Sequence, residues 1–264
     1  MQISFHKYQG TGNDFVMIDD RQRTFPEDNS EVIGFLCDRK MGVGADGVIL
    51  IQEHPEHDFR MIYYNPDGSK SLCGNGSRCA IAFAKALGMI GDKTVFETTD
   101  GVHDAFIQGE IVHFHLHDVN TVEHQGNDFF IDTGSPHHVQ LVEDVAAVEI
   151  VSEGSAIRYD EKYSPGGTNV NFLQQQESQI SVRTYERGVE GETLSCGTGV
   201  TACALAASFL NYESPVSVET KGGQLSVSFE KKGEQHFENI YLAGPAKKVF
   251  EGIVEVPVQN EIPS

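Results

Sequence analysis

Two of the five cysteines in this 264-residue chain sit in matching surroundings. The motifs 73-CGNG-76 and 196-CGTG-199 each run directly into an alanine-rich segment, 77-SRCAIAFAKALG-88 and 200-VTACALAASFLN-211. Small, straight-chain residues favour helix, and Gly88 and Asn211 are suited to end one. The glycines of each motif let the backbone turn tightly before its helix. The first N–H groups of a helix lack internal partners, and the helix dipole adds partial positive charge there. A thiol with an ordinary pKa of ~8.5 is lowered in that position, and the same N–H groups can hold a carboxylate. Cys37, Cys79 and Cys203 lack this context and read as core residues. An odd count without a C-x-x-C pair argues against a disulfide framework and a zinc ribbon.

The two motifs belong to a longer repeat. The pairs 12-GNDFV-16 and 134-GSPHH-138, 44-GADGVILIQ-52 and 166-GGTNVNFLQ-174, 59-FRMIYYN-65 and 181-SVRTYER-187, and 97-ETTDG-101 and 219-ETKGG-223 are each shifted by 122, and the cysteine motifs by 123. A single repeat of that length implies two domains of similar fold. Strands are expected over 47–52, 59–64, 170–174 and 180–185, which are rich in β-branched and aromatic residues, with turns at 65-NPDG-68 and 164-SPGG-167. A further helix is expected over 28–38. The alanine-rich helices carry so little charge that they must be buried. The expected fold is therefore α+β, with two pseudo-symmetric lobes, each a curved, mostly antiparallel sheet wrapped around a central buried helix. The lobes are expected over 1–118 and 119–248. If they face each other across a cleft, Cys73 and Cys196 flank one bound molecule from opposite sides. Inverting a stereocentre by proton transfer needs that pairing: a base on one face and an acid on the other.

Composition narrows the function classes. Thirty-nine acidic residues against nineteen Lys and Arg give a formal charge of -20, which repels nucleic-acid phosphates. No apolar run approaches the ~20 residues of a membrane helix, and the N-terminus does not read as a secretory signal. A cytoplasmic protein acting on a small molecule is expected, with no nucleic-acid or membrane partner. His113, His115 and His117 alternate on one strand face, read as a polar outer face rather than a metal site. A cysteine hydrolase with His137 or His138 as base leaves the second C-G-x-G unexplained. A pyridoxal enzyme needs a lysine in a comparable setting, and none stands out. A binding module of the same fold needs no pair of thiols.

The loops 72-LCGNGSRC-79 and 185-YERGVEGETLSCGTG-199, with 10-GTGNDFV-16, resemble diaminopimelate epimerase over essentially the whole chain. The resemblance implies interconversion of LL- and meso-diaminopimelate without cofactor or metal, in lysine and cell-wall precursor synthesis. It implies that a strand from about residue 249 onward returns to the N-terminal lobe. A homodimer is expected. Position by position, Cys73 and Cys196 look like the acid/base pair. Gly74, Asn75, Gly197 and Thr198 look like the carboxylate-binding loop ends. Asn13, Asn65, Asn169, Glu186 and Arg187 look like the polar shell around the substrate. His137 and Glu186 look like the groups that tune the thiols. Arg187 can fork onto a distal carboxylate, and Glu186 can accept from a distal ammonium. At offset 122 Asn65 pairs with Arg187, so the polar shell is where the two halves differ. Ser135 and Gly47 depart from the resemblance: many family members have Asn at the first position, and some have Gln at the second. A racemase of another amino acid, such as histidine, is the alternative within this class.

Overall fold

A computed structural model describes residues 1–27 and 29–257. The chain divides into two units, Met1–Val112 together with the chain from Ala246 on, and His113–Pro245.

The first unit contains β1 (Gln2–Gly10), β2 (Asn13–Asp19), α1 (Ser30–Cys37), β3 (Gly47–Gln52), β4 (Phe59–Tyr64), α2 (Gly74–Ala86), β5 (Lys93–Thr98) and β6 (Gly101–Gln108). Strand β7 (Ile111–His115) carries the chain into the second unit. That unit contains β8 (Val122–Gln125), β9 (Asp128–Asp132), β10 (Pro136–Leu141), α3 (Ile150–Arg158), β11 (Asn169–Gln175), β12 (Ile180–Glu186), β13 (Gly191–Thr193), α4 (Gly197–Ala207), β14 (Val216–Thr220), β15 (Gly223–Lys231) and β16 (Phe237–Pro245). Strand β17 (Lys247–Glu255) belongs to the first unit and runs antiparallel to β1. Residues 258–264 of the expected returning segment lie outside the described residues. Helix α1 starts at Ser30 because the Asn29 side chain accepts the N–H groups of Glu31 and Val32.

The repeat in the sequence is a repeat of strand order. In the first unit β2 is parallel to β3, β3 antiparallel to β4, β4 parallel to β5, and β5 antiparallel to β6. In the second unit β10, β11, β12, β14 and β15 follow the same alternation. Register follows too: Phe15↔Gly47 recurs as His137↔Asn169, 122 positions on. One segment corrects the sequence alignment. The pair Phe59↔Phe96 recurs as Ile180↔Val218, so β4 recurs 121 positions on, not 122. Between the equivalent pairs Gln52↔Arg60 and Gln174↔Ser181, the hairpin joining β11 to β12 is one residue shorter than that joining β3 to β4. Asn65 is therefore the counterpart of Glu186, and Arg187 has moved one place past it.

Each unit is built around its alanine-rich helix. Helix α2 packs on β1, β2, β3 and β4, and α4 on strands β9 to β12 and β14 to β16. Ten of the eleven residues of α4 and ten of the thirteen of α2 are buried, with Lys85 and Ala86 exposed at the end of α2. Gly88 and Asn211 adopt left-handed φ angles of 74° and 70° just past the helices, where few side chains other than Asn are at ease. The seat is close at Gly199. A Cβ there would lie 2.3 Å from the Asn171 Oδ1 on β11 and 3.3 Å from the His137 ring on β10. Gly199→Ala is expected to lower unfolding stability by about 1–3 kcal/mol. Gly91→Ala, where a Cβ meets nothing within 4 Å, should stay within ~0.5 kcal/mol. Chemical denaturation compares the two, and equal stabilities would contradict a close seat for α4.

Candidate active site

Both motif cysteines are the N-cap residues of the buried helices. Cys73 precedes α2 and Cys196 precedes α4, each in extended backbone conformation. The glycines expected to form a turn before each helix instead form its first turn. Here the N–H groups of Gly74, Asn75, Gly197 and Thr198 lack helical partners.

In the first unit the Sγ of Cys73 accepts the N–H of Gly76 at 3.4 Å. It also lies 3.6 Å from Asn13 Oδ1, to which the thiol can donate. The orientation of Asn13 is set from behind. Its Nδ2 donates to Asp46 Oδ2 at 2.6 Å, and Asp46 is itself bound by Arg39 at 2.7 Å. A carboxylate can only accept, so the Asn13 amide nitrogen faces Asp46 and its oxygen faces Cys73. Asn75 Nδ2 donates to the same oxygen at 3.3 Å. Arg39 and the buried Lys7 also grip Asp14, each at 2.7 Å. Burial pushes the Asp14 carboxyl up, but hydrogen bonds from Arg39 and Lys7 outweigh it and hold the group below the usual range. Asn65 is not bonded to this cluster. Its amide donates to Ser69 Oγ at 3.0 Å and Ser71 Oγ at 3.1 Å, in the loop leading to Cys73. Gly47 leaves no room for the family's glutamine, because its Cβ would lie 2.3 Å from the Tyr63 ring.

In the second unit Cys196 Sγ lies 3.6 Å from Thr198 Oγ1, and His137 Nε2 lies 2.9 Å from the same hydroxyl. The tautomer of His137 follows from Asn171. That side chain accepts from Thr184 through Oδ1 at 2.9 Å and donates through Nδ2 to the His138 carbonyl at 3.0 Å. The same Nδ2 lies 3.2 Å from His137 Nδ1, which must accept. The ring proton is therefore on Nε2 and points to Thr198, leaving the Thr198 hydroxyl proton available to Cys196. His137 is 0% exposed. Burial, with a smaller contribution from the Arg187 charge, pushes its pKa down to about 3. His137 thus faces the Thr198 hydroxyl as a neutral N–H, not as a cation. Thr133 fixes the Thr198 carbonyl at 2.9 Å.

A second cluster holds Asn169, Ser135 and Arg187. Asn169 donates to Ser135 Oγ at 3.0 Å and accepts the Arg187 backbone N–H at 2.9 Å. Arg187 reaches Ser135 Oγ at 3.4 Å and has no carboxylate partner among the described residues. Glu186 ends β12 and is half-buried.

The other cysteines are core thiols. Burial pushes Cys37 up to about 11, Cys79 up to about 12, and Cys203 well above the usual value. His113 and His115 are half-buried on β7, with His115 stacked on Tyr241 at 4.5 Å, and His117 is exposed beyond the strand. Sequence reasoning missed Asp46, Asn171 and Thr133. Asp46 lies inside the repeated 44–52 block, and Asn171 shares a strand face with Asn169, two positions away. Those were the available signals.

The diaminopimelate epimerase family model matches residues 5–116 and 129–249. A diaminopimelate epimerase of Flavobacterium psychrophilum is 47% identical over 254 residues, covering 94% of this chain and 99% of that protein. One from Aquifex aeolicus is 43% identical over 274 residues, covering 95% and 97%. Among solved structures, a Bacillus anthracis phenazine biosynthesis protein of the PhzF family has a TM-score of 0.76 at 16% identity, covering 97% of this chain and 100% of that one. A probable proline racemase from Agrobacterium radiobacter has a TM-score of 0.70 at 17% identity, covering 99% and 94%. These two likenesses establish the fold.

Because the unfolded chain protonates His137 near pH 6.5 and the folded chain only near 3, its contribution to stability is present above 6.5 and is lost as pH falls. Between pH 7 and pH 5 the native protein should lose about 2 kcal/mol more than His137→Gln. Urea unfolding at both pH values measures this, and equal losses would show that the ring is not buried neutral.

Proposed function

The chain belongs to the diaminopimelate epimerase family, and we propose that Cys73 and Cys196 are the two groups that carry out its reaction. The protein is an isomerase of the amino-acid racemase and epimerase class, and membership supports epimerisation of LL-2,6-diaminopimelate to the meso form. One thiolate removes the α-proton and becomes a thiol. The other thiol gives its proton to the opposite face of the same carbon and becomes a thiolate. One proton leaves the carbon and one arrives, so the step asks for no oxidant, metal or carbonyl cofactor. The helix N-termini at Gly74–Asn75 and Gly197–Thr198 would hold the α-carboxylate and stabilise the carbanion-like transition state. Arg187, Glu186, Asn169, Asn65 and Asn13 would bind the distal amino-acid end, with Arg187 forking onto its carboxylate.

One observation carries this reading: two N-cap cysteines occupy equivalent positions of a repeated strand order, each with a polar group at 3.6 Å from its sulfur. It requires the two half-sites to reach one carbon from opposite sides, which the repeat supports. The reading includes a cytoplasmic role in lysine and cell-wall precursor synthesis.

We further propose that the protein acts as a homodimer. Val249, Phe250 and Ile253 of β17 are 56%, 47% and 68% exposed. Such a cluster is what an interface would cover.

Two measurements test these proposals. Cys73→Ala and Cys196→Ala should each lower the rate of LL- to meso-diaminopimelate conversion by about 10²–10⁴-fold. Retained activity in either variant would remove that thiol from the reaction. Analytical ultracentrifugation should find a species of twice the chain mass, reduced to one chain by Ile253→Lys. A native protein that sediments as a single chain would refute the dimer.

A further inference from the structure

The chain turns sharply just after Glu186. Strand β12 ends there and β13 starts at Gly191, so Arg187 lies in the short connection between them. The Glu190 N–H closes that connection by donating to the Glu186 carbonyl at 2.9 Å. Gly188 and Glu190 both take left-handed φ angles, 91° and 56°. Glycine is at ease there, whereas a glutamate keeps that backbone only where its surroundings hold it.

The Glu190 carboxylate supplies the hold. Its Oε1 accepts the Gly188 N–H at 3.0 Å and Arg158 Nη2 at 3.2 Å. Its Oε2 accepts the Tyr159 hydroxyl at 2.9 Å and the Tyr185 hydroxyl at 3.1 Å. One side chain thus ties the connection to itself, to the end of α3 and to β12. Those partners are closely seated. A Cβ on Gly154 of α3 would lie 2.5 Å from the Cβ of Tyr185, and one on Gly167 would overlap the Arg158 guanidinium. A lone surface ion pair is worth little, but a carboxylate with four donors on three separate segments fixes geometry. With both oxygens taken twice, Glu190 has no acceptor site left to offer a substrate.

Arg187 needs that support. Its guanidinium reaches the Gly166 carbonyl at 3.5 Å and Ser135 Oγ at 3.4 Å, and contacts of that length aim a side chain weakly. Its direction is therefore set by its backbone. That backbone is pinned by Asn169 Oδ1 on the Arg187 N–H at 2.9 Å, and three residues on by Glu190. Arg158, held by Glu190, also donates to the Gly166 carbonyl, at 3.4 Å. We propose that Glu190 is a positioning residue for distal-end recognition: its carboxylate holds the turn from Glu186 to Glu190 against α3 and so fixes the aim of Arg187. The inference rests on the reading of Arg187 as the group that meets the distal carboxylate.

The test is initial-rate kinetics of LL- to meso-diaminopimelate conversion by the full reduced chain. Glu190→Asn keeps a residue at ease with the left-handed backbone but is one methylene too short to span the same partners. Glu190→Gln keeps the length, and its amide can donate to the tyrosine oxygens from which the carboxylate accepts. Glu190→Asn should raise KM by about 10–100-fold and change kcat by less than ~3-fold, since binding is lost and proton transfer is not. Glu190→Gln should restore most of the native KM. Arg187→Met should raise KM at least as far, and adding Glu190→Asn to it should cost less than a further ~2-fold, because the two act through one contact. A native KM in Glu190→Asn beside a weakened Arg187→Met would overturn the role of Glu190 alone. So would a full Glu190→Asn penalty on top of Arg187→Met. A native KM in Arg187→Met would instead overturn the reading of Arg187, and this inference with it.

Discussion

A helix without a charged face has to be surrounded, and most of this structure follows from surrounding two of them. Helices α2 and α4 offer almost nothing to water, so each unit wraps strands about one helix. Wrapping brings strand ends to the helix start, where unpaired N–H groups remain. The residue at that start is cysteine in both units, and Gly76 and Gly199 let the first turn sit directly on the sheet.

The two starts are built alike and wired differently. Behind Cys73 stands an acceptor, the Asn13 oxygen, aimed by a carboxylate that Arg39 holds in place. Behind Cys196 stands a donor, the Thr198 hydroxyl, aimed by a neutral histidine whose tautomer is dictated by Asn171. The counterpart of His137 in the register is Phe15, and that of Asn169 is Gly47. Symmetric backbone therefore positions the two sulfurs, while unsymmetric side chains give each its own surroundings. The same division holds farther out, where Arg187 and Asn169 have no polar counterparts in the first unit. A substrate with one reacting centre and one distant amino-acid end has the matching division.

Much of this was legible from residue types and spacing. The strands at 47–52 and 59–64, the buried helices and their left-handed ends, and the inert cysteines all come from local preference and periodicity. The alignment slipped by one at β4 and β12 because a hairpin lost a residue, and composition carries no mark of where a turn is shortened. The polar groups behind the site were harder to see. Asp46, Asn171 and Glu190 look like ordinary turn and strand residues until the fold shows which atom each one faces. Family resemblance supplied the residues proposed to meet substrate, and packing reveals what orients them.

The central claim is that the proton removed and the proton delivered belong to different thiols. Early-time conversion of LL-diaminopimelate in deuterated water, followed by NMR, tests it directly. Two thiols on opposite faces predict meso product carrying solvent deuterium at the inverted carbon, while unreacted LL substrate stays protonated. Product that retains the original proton, or substrate and product labelled equally from the first turnovers, would mean that one group serves both faces and would contradict the assignment of Cys73 and Cys196 as a pair.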